Sequence, residues 1–346
     1  MTEGFSCSTH DNIELLVSHL KLDFVVLGMG AVGGFYGLRL AKYLQDHPGE
    51  FDLSFVARGK TLTALQQGAV LDDCGTSYEF KDLQVVEKFT DLKLNPEKLT
   101  VVLLCVKSKD TIEAASSILG DPDVPFLTSF AQGPQDDSLV VLSVQNGVEN
   151  EERIASVLGE QKVIGALTNI AAEVIEPGHY LNKGKYSLVL GELDGKLSER
   201  VEAIAAVFKA AGINAKVSQN IYKQLWSKLV WNAGFNPTSV LYNMTVGQLL
   251  ERPEIRERII GVMQEVVAVA AGLGYQLADD VVESHVARTD VPEWYEFRTS
   301  MLQDFQKGKE IELDDLLGVV VRKGKELGLD VPHASKLYAD LQAKLQ

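Results

Sequence analysis

The sequence predicts an α/β domain with a mostly parallel sheet, followed by an all-α domain. Two patterns carry that reading. From residue 23 to about 146, continuous apolar runs alternate with helical runs, as they do when parallel strands are covered on both faces by crossover helices. After about residue 196 strand-type runs give way to apolar residues at helical spacing. A length of 346 residues also suits two cores better than one.

Taken in order, residues 1–22 are an N-terminal extension whose run Ile13–Leu20 fits either an extra helix or a loose arm. Phe24–Leu27 reads as a buried strand and residues 31–45 as a helix stopped by His47-Pro48-Gly49. Further strands are expected at Leu53–Ala57, Leu99–Val106 and Leu139–Val144. Between 163 and 192, β-branched runs broken by Glu176-Pro177-Gly178 and Asn182-Lys183-Gly184 read as hairpin-like strands that close the first domain. Helices are expected at roughly 196–212, 221–242, 253–273, 293–307, 312–327 and 334–345, with Gly328 and Pro332 punctuating the last two. The expected domains therefore span 23–219 and 220–346.

Composition narrows the function. A formal net charge of −15 argues against a general nucleic-acid binder, yet it allows a local basic pocket for a small anion. Cys7, Cys74 and Cys105 are scattered, so neither a disulfide framework nor a zinc site is expected, and such sparse use fits a reducing, cytoplasmic compartment. No apolar stretch reaches the roughly 18–20 residues of a membrane span, and no secretory or transit signature is expected at the start. His10, His19, His47, His179, His285 and His333 show no ligand spacing, so neither a metal nor a histidine base is proposed from them.

The strand Phe24–Leu27 runs directly into Gly28-Met29-Gly30-Ala31-Val32-Gly33, behind which a helix opens. The bare spacing is weak, but strand before and helix after is the context of a dinucleotide loop in a Rossmann domain. There the first glycine permits a tight turn and the second lets backbone approach a pyrophosphate. The third, helped here by Gly34 and Gly37, lets the helix pack closely on the strand. The helix N-terminus then stabilises the diphosphate charge. A glycine-rich turn of another α/β fold is the alternative. The second strand ends Val56-Ala57-Arg58-Gly59-Lys60, with no carboxylate for a ribose hydroxyl. An arginine there suits a 2′-phosphate and hence NADP(H), although a solvated surface arginine would look the same. Lys107 and Gln145-Asn146-Gly147 also follow strands at carboxyl ends, and Asn-Gly is itself a common turn.

On the helix from Ile221 to Pro237, Ile221, Leu225, Lys228, Asn232 and Phe235/Asn236 share one stripe. A lysine on such a face is costly to bury without a partner, and desolvation lowers its pKa. It could also snorkel from the edge of the face, but Asn232 and Asn236 on the same stripe resemble a polar pocket. A second polar set runs from Arg298-Thr299-Ser300 through Asp304 to Glu312, a carboxylate at a helix start for which capping is the alternative role.

With these residues in view, the chain resembles the ketopantoate reductase family from residue 23 onward. The likeness rests on Gly28–Gly33, Leu104–Lys107, Val144–Gly147, the run Leu225–Asn232 with Asn236-Pro237, and Thr299–Asp304 with Glu312. It implies that Lys228 is the catalytic lysine and that Asn232, Asn236 and Ser300 bind substrate. It sets Asn146 between cofactor and substrate, Glu312 on ligand hydroxyls, Arg58 and Lys107 on the cofactor, and Ala171 against the nicotinamide side. The implied reaction is NADPH-dependent reduction of 2-dehydropantoate in pantothenate biosynthesis, with a small 2-keto acid as substrate and neither nucleic acid nor membrane as partner; a homodimer is compatible with it. One departure stands out. Val246 occupies the place of a further substrate asparagine, which leaves the keto acid open. Alternatives are a reductase of a different 2-keto acid, oxidation of a 2-hydroxy acid, or a non-catalytic dinucleotide-binding regulator on the same fold. A 3-hydroxyacid dehydrogenase would also place a lysine on a helix, but it would not need Asn236-Pro237 or the Ser300–Glu312 spacing.

Overall fold

The computed structural model describes residues 20–120 and 138–345. Most of the N-terminal extension, including Cys7, His10, His19 and most of the run from Ile13, lies outside the described residues. The chain divides into two compact units. One comprises the chain up to Gln145 together with Asn150–Ile221, and the other Asn146–Glu149 together with the chain from Tyr222 onward.

The described residues of the first unit contain twelve strands: β1 (Leu22–Leu27), β2 (Leu53–Val56), β3 (Ala69–Asp73), β4 (Thr76–Phe80), β5 (Gln84–Val86), β6 (Leu99–Leu104), β7 (Leu139–Ser143), β8 (Val163–Asn169), β9 (Ala172–Glu176), β10 (His179–Asn182), β11 (Ser187–Glu192) and β12 (Asn214–Val217). Helices α1 (Ala31–Asp46), α2 (Gly59–Gln67), α3 (Thr111–Leu119), α4 (Asn150–Leu158) and α5 (Glu199–Ala210) cover them. The main sheet has the order β12-β11-β8-β7-β6-β1-β2-β5. Six neighbouring strands from β8 to β5 run parallel, while β11 pairs antiparallel with β8 and carries β12 with it. The fold is thus a mostly parallel Rossmann-type sheet, followed by a helical region.

Alternating side chains explain the continuous apolar strands. Phe24 and Val26 of β1, with Val101 and Leu103 of β6, pack with Phe35, Leu38 and Phe208 from α1 and α5. Val25, Leu27, Val102 and Leu104 point the other way, toward Ala115, Ile118 and Ile154 of α3 and α4. Both faces are therefore buried.

The stretch 163–192 does more than close the domain. β8 and β11 extend the main sheet, whereas β9 and β10 join β3 and β4 in a second sheet of order β4-β3-β10-β9. β3 and β4 are linked by Cys74 (φ 50°) and Gly75 (φ 89°), the paired positive φ of a tight hairpin turn.

The second unit holds α6 (Ile221–Tyr242), α7 (Val246–Leu250), α8 (Pro253–Gly272), α9 (Val281–Thr289), α10 (Ser300–Gln306), α11 (Val319–Leu327) and α12 (Pro332–Leu345). The helix expected over 293–307 begins only at Ser300, because Thr299 caps it and accepts from Leu302 N at 3.1 Å; Pro292–Trp294 forms a separate short 3-10 turn. The one expected over 312–327 opens with a π-helical turn, Asp314–Gly318, before α11. Helices α7 and α9 were not anticipated.

One carboxylate ties α8 to α12. The first N–H groups of a helix have no partner within it. Buried Glu265 of α8 supplies one, accepting from His333 N at 2.8 Å and Ala334 N at 2.7 Å, and Gly261 leaves room for the His333 ring. Charge-assisted bonds of this kind contribute about 1.5–3 kcal/mol each. Glu265→Ala is therefore expected to lower the unfolding free energy in urea by about 3 kcal/mol, and a loss under about 0.5 kcal/mol would show that the cap is dispensable.

Candidate active site

In the first unit the candidate cofactor residues share one edge of the main sheet. Gly28, Arg58 and Lys107 follow β1, β2 and β6, which are adjacent and parallel, and Ala171 follows β8 on the same edge. The order turns back at β1, since the chain passes from β2 and β5 on one side to β6 on the other. Ligands of open α/β sheets bind at such a switch point.

The glycine loop has the required local geometry. Gly28 sits at φ +99° with Val106 and the Cys105 backbone within about 3 Å of where a Cβ would stand. A Cβ on Gly33 would lie 2.0 Å from Gly28 O, so the first helical turn folds against the loop itself. Gly30 faces open space, exposed at the N-terminus of the sixteen-residue α1. Room for a ligand beside the backbone, at a helix N-terminus, fits a diphosphate. The Tyr180 hydroxyl holds the loop by donating to Met29 O at 3.1 Å. Arg58 is exposed and pairs with equally exposed Glu113 at 3.3 Å, a contact weak enough to yield to a phosphate. Lys107 is exposed and Ala171 half-buried.

The second unit holds the other set. On α6, Leu225, Asn232, Phe235 and Asn236 are buried and Lys228 is half-buried, so the stripe of the sequence is real. Lys228 Nζ donates to Asn146 Oδ1 at 3.0 Å. Since lysine only donates, this bond fixes the orientation of the Asn146 amide. The segment Asn146–Glu149 is held at its other end by Arg322 of α11, whose guanidinium meets Glu149 at 2.8 Å. Burial pushes the Lys228 ammonium down to about 8, while the charge of Glu312 pulls it back up. Glu312 lies just before the π-helical turn, and its carbonyl accepts from Leu316 N at 3.2 Å. π turns recur at functional sites.

Two buried hydroxyls join Asn236 to the start of α10. Ser239 Oγ gives its proton to Asn236 O at 2.7 Å, so Thr299 Oγ1 must be the donor in the 2.7 Å Ser239–Thr299 contact. Ser300, exposed, is the next residue. Sequence reasoning set Thr299 in the second polar run without a role and missed Ser239, whose partner lies sixty residues away. Asn236 Oδ1 is buried and takes no hydrogen bond from the described residues. Val246 is fully buried at the start of α7, its N–H donating to Phe297 O at 3.0 Å. Among the described residues no cluster of three His, Cys, Asp or Glu side chains could hold a metal, and no helix is long and apolar enough to cross a membrane.

A two-unit chain with a dinucleotide-type loop and a partnered lysine on a helix has the build of a pyridine-nucleotide oxidoreductase. Comparison with known proteins agrees. The family model described as ketopantoate reductase PanE/ApbA matches residues 24–195, and that of its C-terminal region matches 220–345. A 2-dehydropantoate 2-reductase of Archaeoglobus fulgidus is 31% identical over 307 residues, 88% of this chain and 92% of the relative. Among solved structures, a 2-dehydropantoate 2-reductase of Methylococcus capsulatus has TM-score 0.75 at 32% identity, covering 93% of this chain and 96% of that one. A PanE/ApbA family ketopantoate reductase of Ralstonia eutropha has TM-score 0.78 at 30% identity, with coverage of 92% and 97%. The chain belongs to the ketopantoate reductase family. It is an oxidoreductase acting on a keto/CH–OH group, and the family implies a nicotinamide cofactor.

The opposed influences on Lys228 can be separated by titration. Carbon NMR of labelled lysine should show one ammonium titrating near 8. Because the Glu312 charge favours the ammonium, Glu312→Gln should move that midpoint to lower pH. An unmoved or raised midpoint would mean that the carboxylate does not act on Lys228.

Proposed function

We propose that the protein reduces 2-dehydropantoate to pantoate with NADPH, using Lys228 as the general acid. The observation that carries this reading is the Lys228 ammonium, lowered to about 8 and bonded to Asn146, on a helix face shared with Asn232 and Asn236. A group with a pKa near working pH is suited to proton transfer. Family membership and relatives named 2-dehydropantoate 2-reductase support the choice of substrate.

Gly28–Gly33, Arg58, Lys107 and Ala171 would hold the cofactor, with Asn146 and Glu312 contributing as well. When bound, NADPH supplies the hydride that reduces the keto carbon. Lys228 polarises the carbonyl and passes a proton to its oxygen as carbon is reduced, leaving a neutral amine that solvent reprotonates. Asn232 and Ser300 hold the polar ends of the substrate in reactive geometry. The Asn236 Oδ1 acceptor suits the hydroxyl of 2-dehydropantoate. Since the ammonium is the reactive form, kcat/KM should fall as pH rises through about 8. The scattered cysteines accord with a cytoplasmic enzyme.

Steady-state kinetics with 2-dehydropantoate and NADPH test the lysine directly. General acid catalysis is worth ~10²–10⁴-fold, so Lys228→Ala should lower kcat by about that factor. NADPH affinity should change far less than kcat, because Gly28–Gly33, Arg58, Lys107 and Ala171 all belong to the other unit. A near-normal kcat would remove Lys228 from the chemistry.

Cofactor choice gives a second test. Arg58 stands where an acidic residue would select NADH, and a charge-assisted contact of ~1.5–3 kcal/mol corresponds to about 10- to 100-fold preference for NADPH. Arg58→Ala should abolish most of that preference while sparing NADH turnover. Equal efficiency with both cofactors in the unaltered protein would contradict the assignment.

A further inference from the structure

Four polar side chains form a buried chain of hydrogen bonds that the reaction itself does not use. Gln145, Thr111, Asn150 and Ser108 are 6%, 0%, 2% and 1% exposed, which is unusual for groups that water would otherwise solvate. Gln145 Nε2 donates to Val106 O at 3.0 Å and to Thr111 Oγ1 at 2.8 Å. Thr111 Oγ1 donates to Asn150 Oδ1 at 3.0 Å, and Asn150 Nδ2 to Ser108 Oγ at 3.3 Å.

The direction of the chain is fixed at its first link. A backbone carbonyl only accepts, so Gln145 must present its NH₂ to Val106 and, from the same nitrogen, to Thr111. Gln145 follows β7, Val106 and Ser108 follow β6, and Thr111 and Asn150 are the first residues of α3 and α4. The chain thus straps together the loops at the carboxyl ends of two adjacent parallel strands. Its two anchor points on the β6 loop, the Val106 carbonyl and the Ser108 hydroxyl, are the immediate neighbours of Lys107 on either side. Arg153 NH1 reinforces the second by donating to Ser108 O at 3.3 Å.

We propose that Thr111 and Gln145 are positioning residues that hold the Lys107 loop in its cofactor-binding form. The inference rests on the reading of Lys107 as a cofactor residue. Lys107 is exposed, on a long flexible side chain, and can be useful to an anion only if its backbone is fixed where the ligand lies. Removing one buried link leaves polar partners unsatisfied and lets the loop sample other geometries.

Fluorescence titration of NADPH onto the whole protein gives the dissociation constant without turnover. Thr111→Val keeps the shape but removes the hydroxyl and should weaken NADPH binding about tenfold. Thr111→Ser restores the hydroxyl and should return affinity to within about twofold of the parent. Acting through Lys107, Thr111→Val should add less than about twofold on a Lys107→Ala background. Gln145→Met replaces Thr111→Val in the same cycle, with the same thresholds, if the valine variant fails to fold. Parent-like affinity in the Thr111→Val protein, while Lys107→Ala weakens binding, would overturn this inference alone. So would a full tenfold loss persisting on the Lys107→Ala background, or failure of serine to rescue. Parent-like binding by Lys107→Ala would instead refute the cofactor reading of Lys107, and this inference with it.

Discussion

A cation held on a helix face among buried apolar side chains sets the terms for the rest of the site. Lys228 cannot be desolvated beside Leu225 and Phe235 without some compensation, and it has two sources. Asn146 offers a directed acceptor at 3.0 Å, and Glu312 offers charge. The first is short-ranged and orients the amine; the second is longer-ranged and keeps it protonated. With burial outweighing charge, the ammonium comes to about 8, where it can both give up and regain a proton near neutrality. A stronger ion pair would return the ammonium toward the ordinary lysine range, and a site with no carboxylate would lower it further.

Holding the partners in place draws in much of the second unit. Asn146 reaches Lys228 because Arg322 anchors the same short segment through Glu149. The Asn236 backbone carbonyl is tied to the start of α10 by Ser239 and Thr299, so this part of α6 and the Ser300 turn are linked through buried hydroxyls. The first unit solves a different problem. Its parallel strands end on a common edge, which carries backbone N–H groups, a helix N-terminus and the exposed cations Arg58 and Lys107.

Much of this was legible in the residues because it depends on short-range periodicity. The glycine loop between a strand and a helix, the four-residue apolar runs Phe24–Leu27 of β1 and Val101–Leu104 of β6, and the Lys228–Asn232–Asn236 stripe all show at local spacing. What depends on distant pairing was not legible. β3 is a five-residue strand ending in two aspartates, and its partner β10 lies more than a hundred residues away. The Cys74-Gly75 turn lacks the asparagine or aspartate that usually marks such a hairpin. Trp294 and Phe297, three residues apart, imitate a helical face, yet they belong to an aromatic cluster with Trp231 ahead of the Thr299 cap. The bonds from Gln145 to Thr111 and from Ser239 to Thr299 have no sequence signature, since hydroxyls and amides become partners only when the fold brings them together.

The reaction proposed for this chain is hydride transfer from NADPH to a keto carbon. The most direct measurement is a transfer experiment, with 2-dehydropantoate and NADPH deuterated at the transferable C4 position, followed by mass spectrometry of the isolated product. Hydride transfer predicts pantoate carrying one deuterium at C2 and unlabelled oxidised cofactor. Unconsumed 2-dehydropantoate, or pantoate formed without the label, would contradict it.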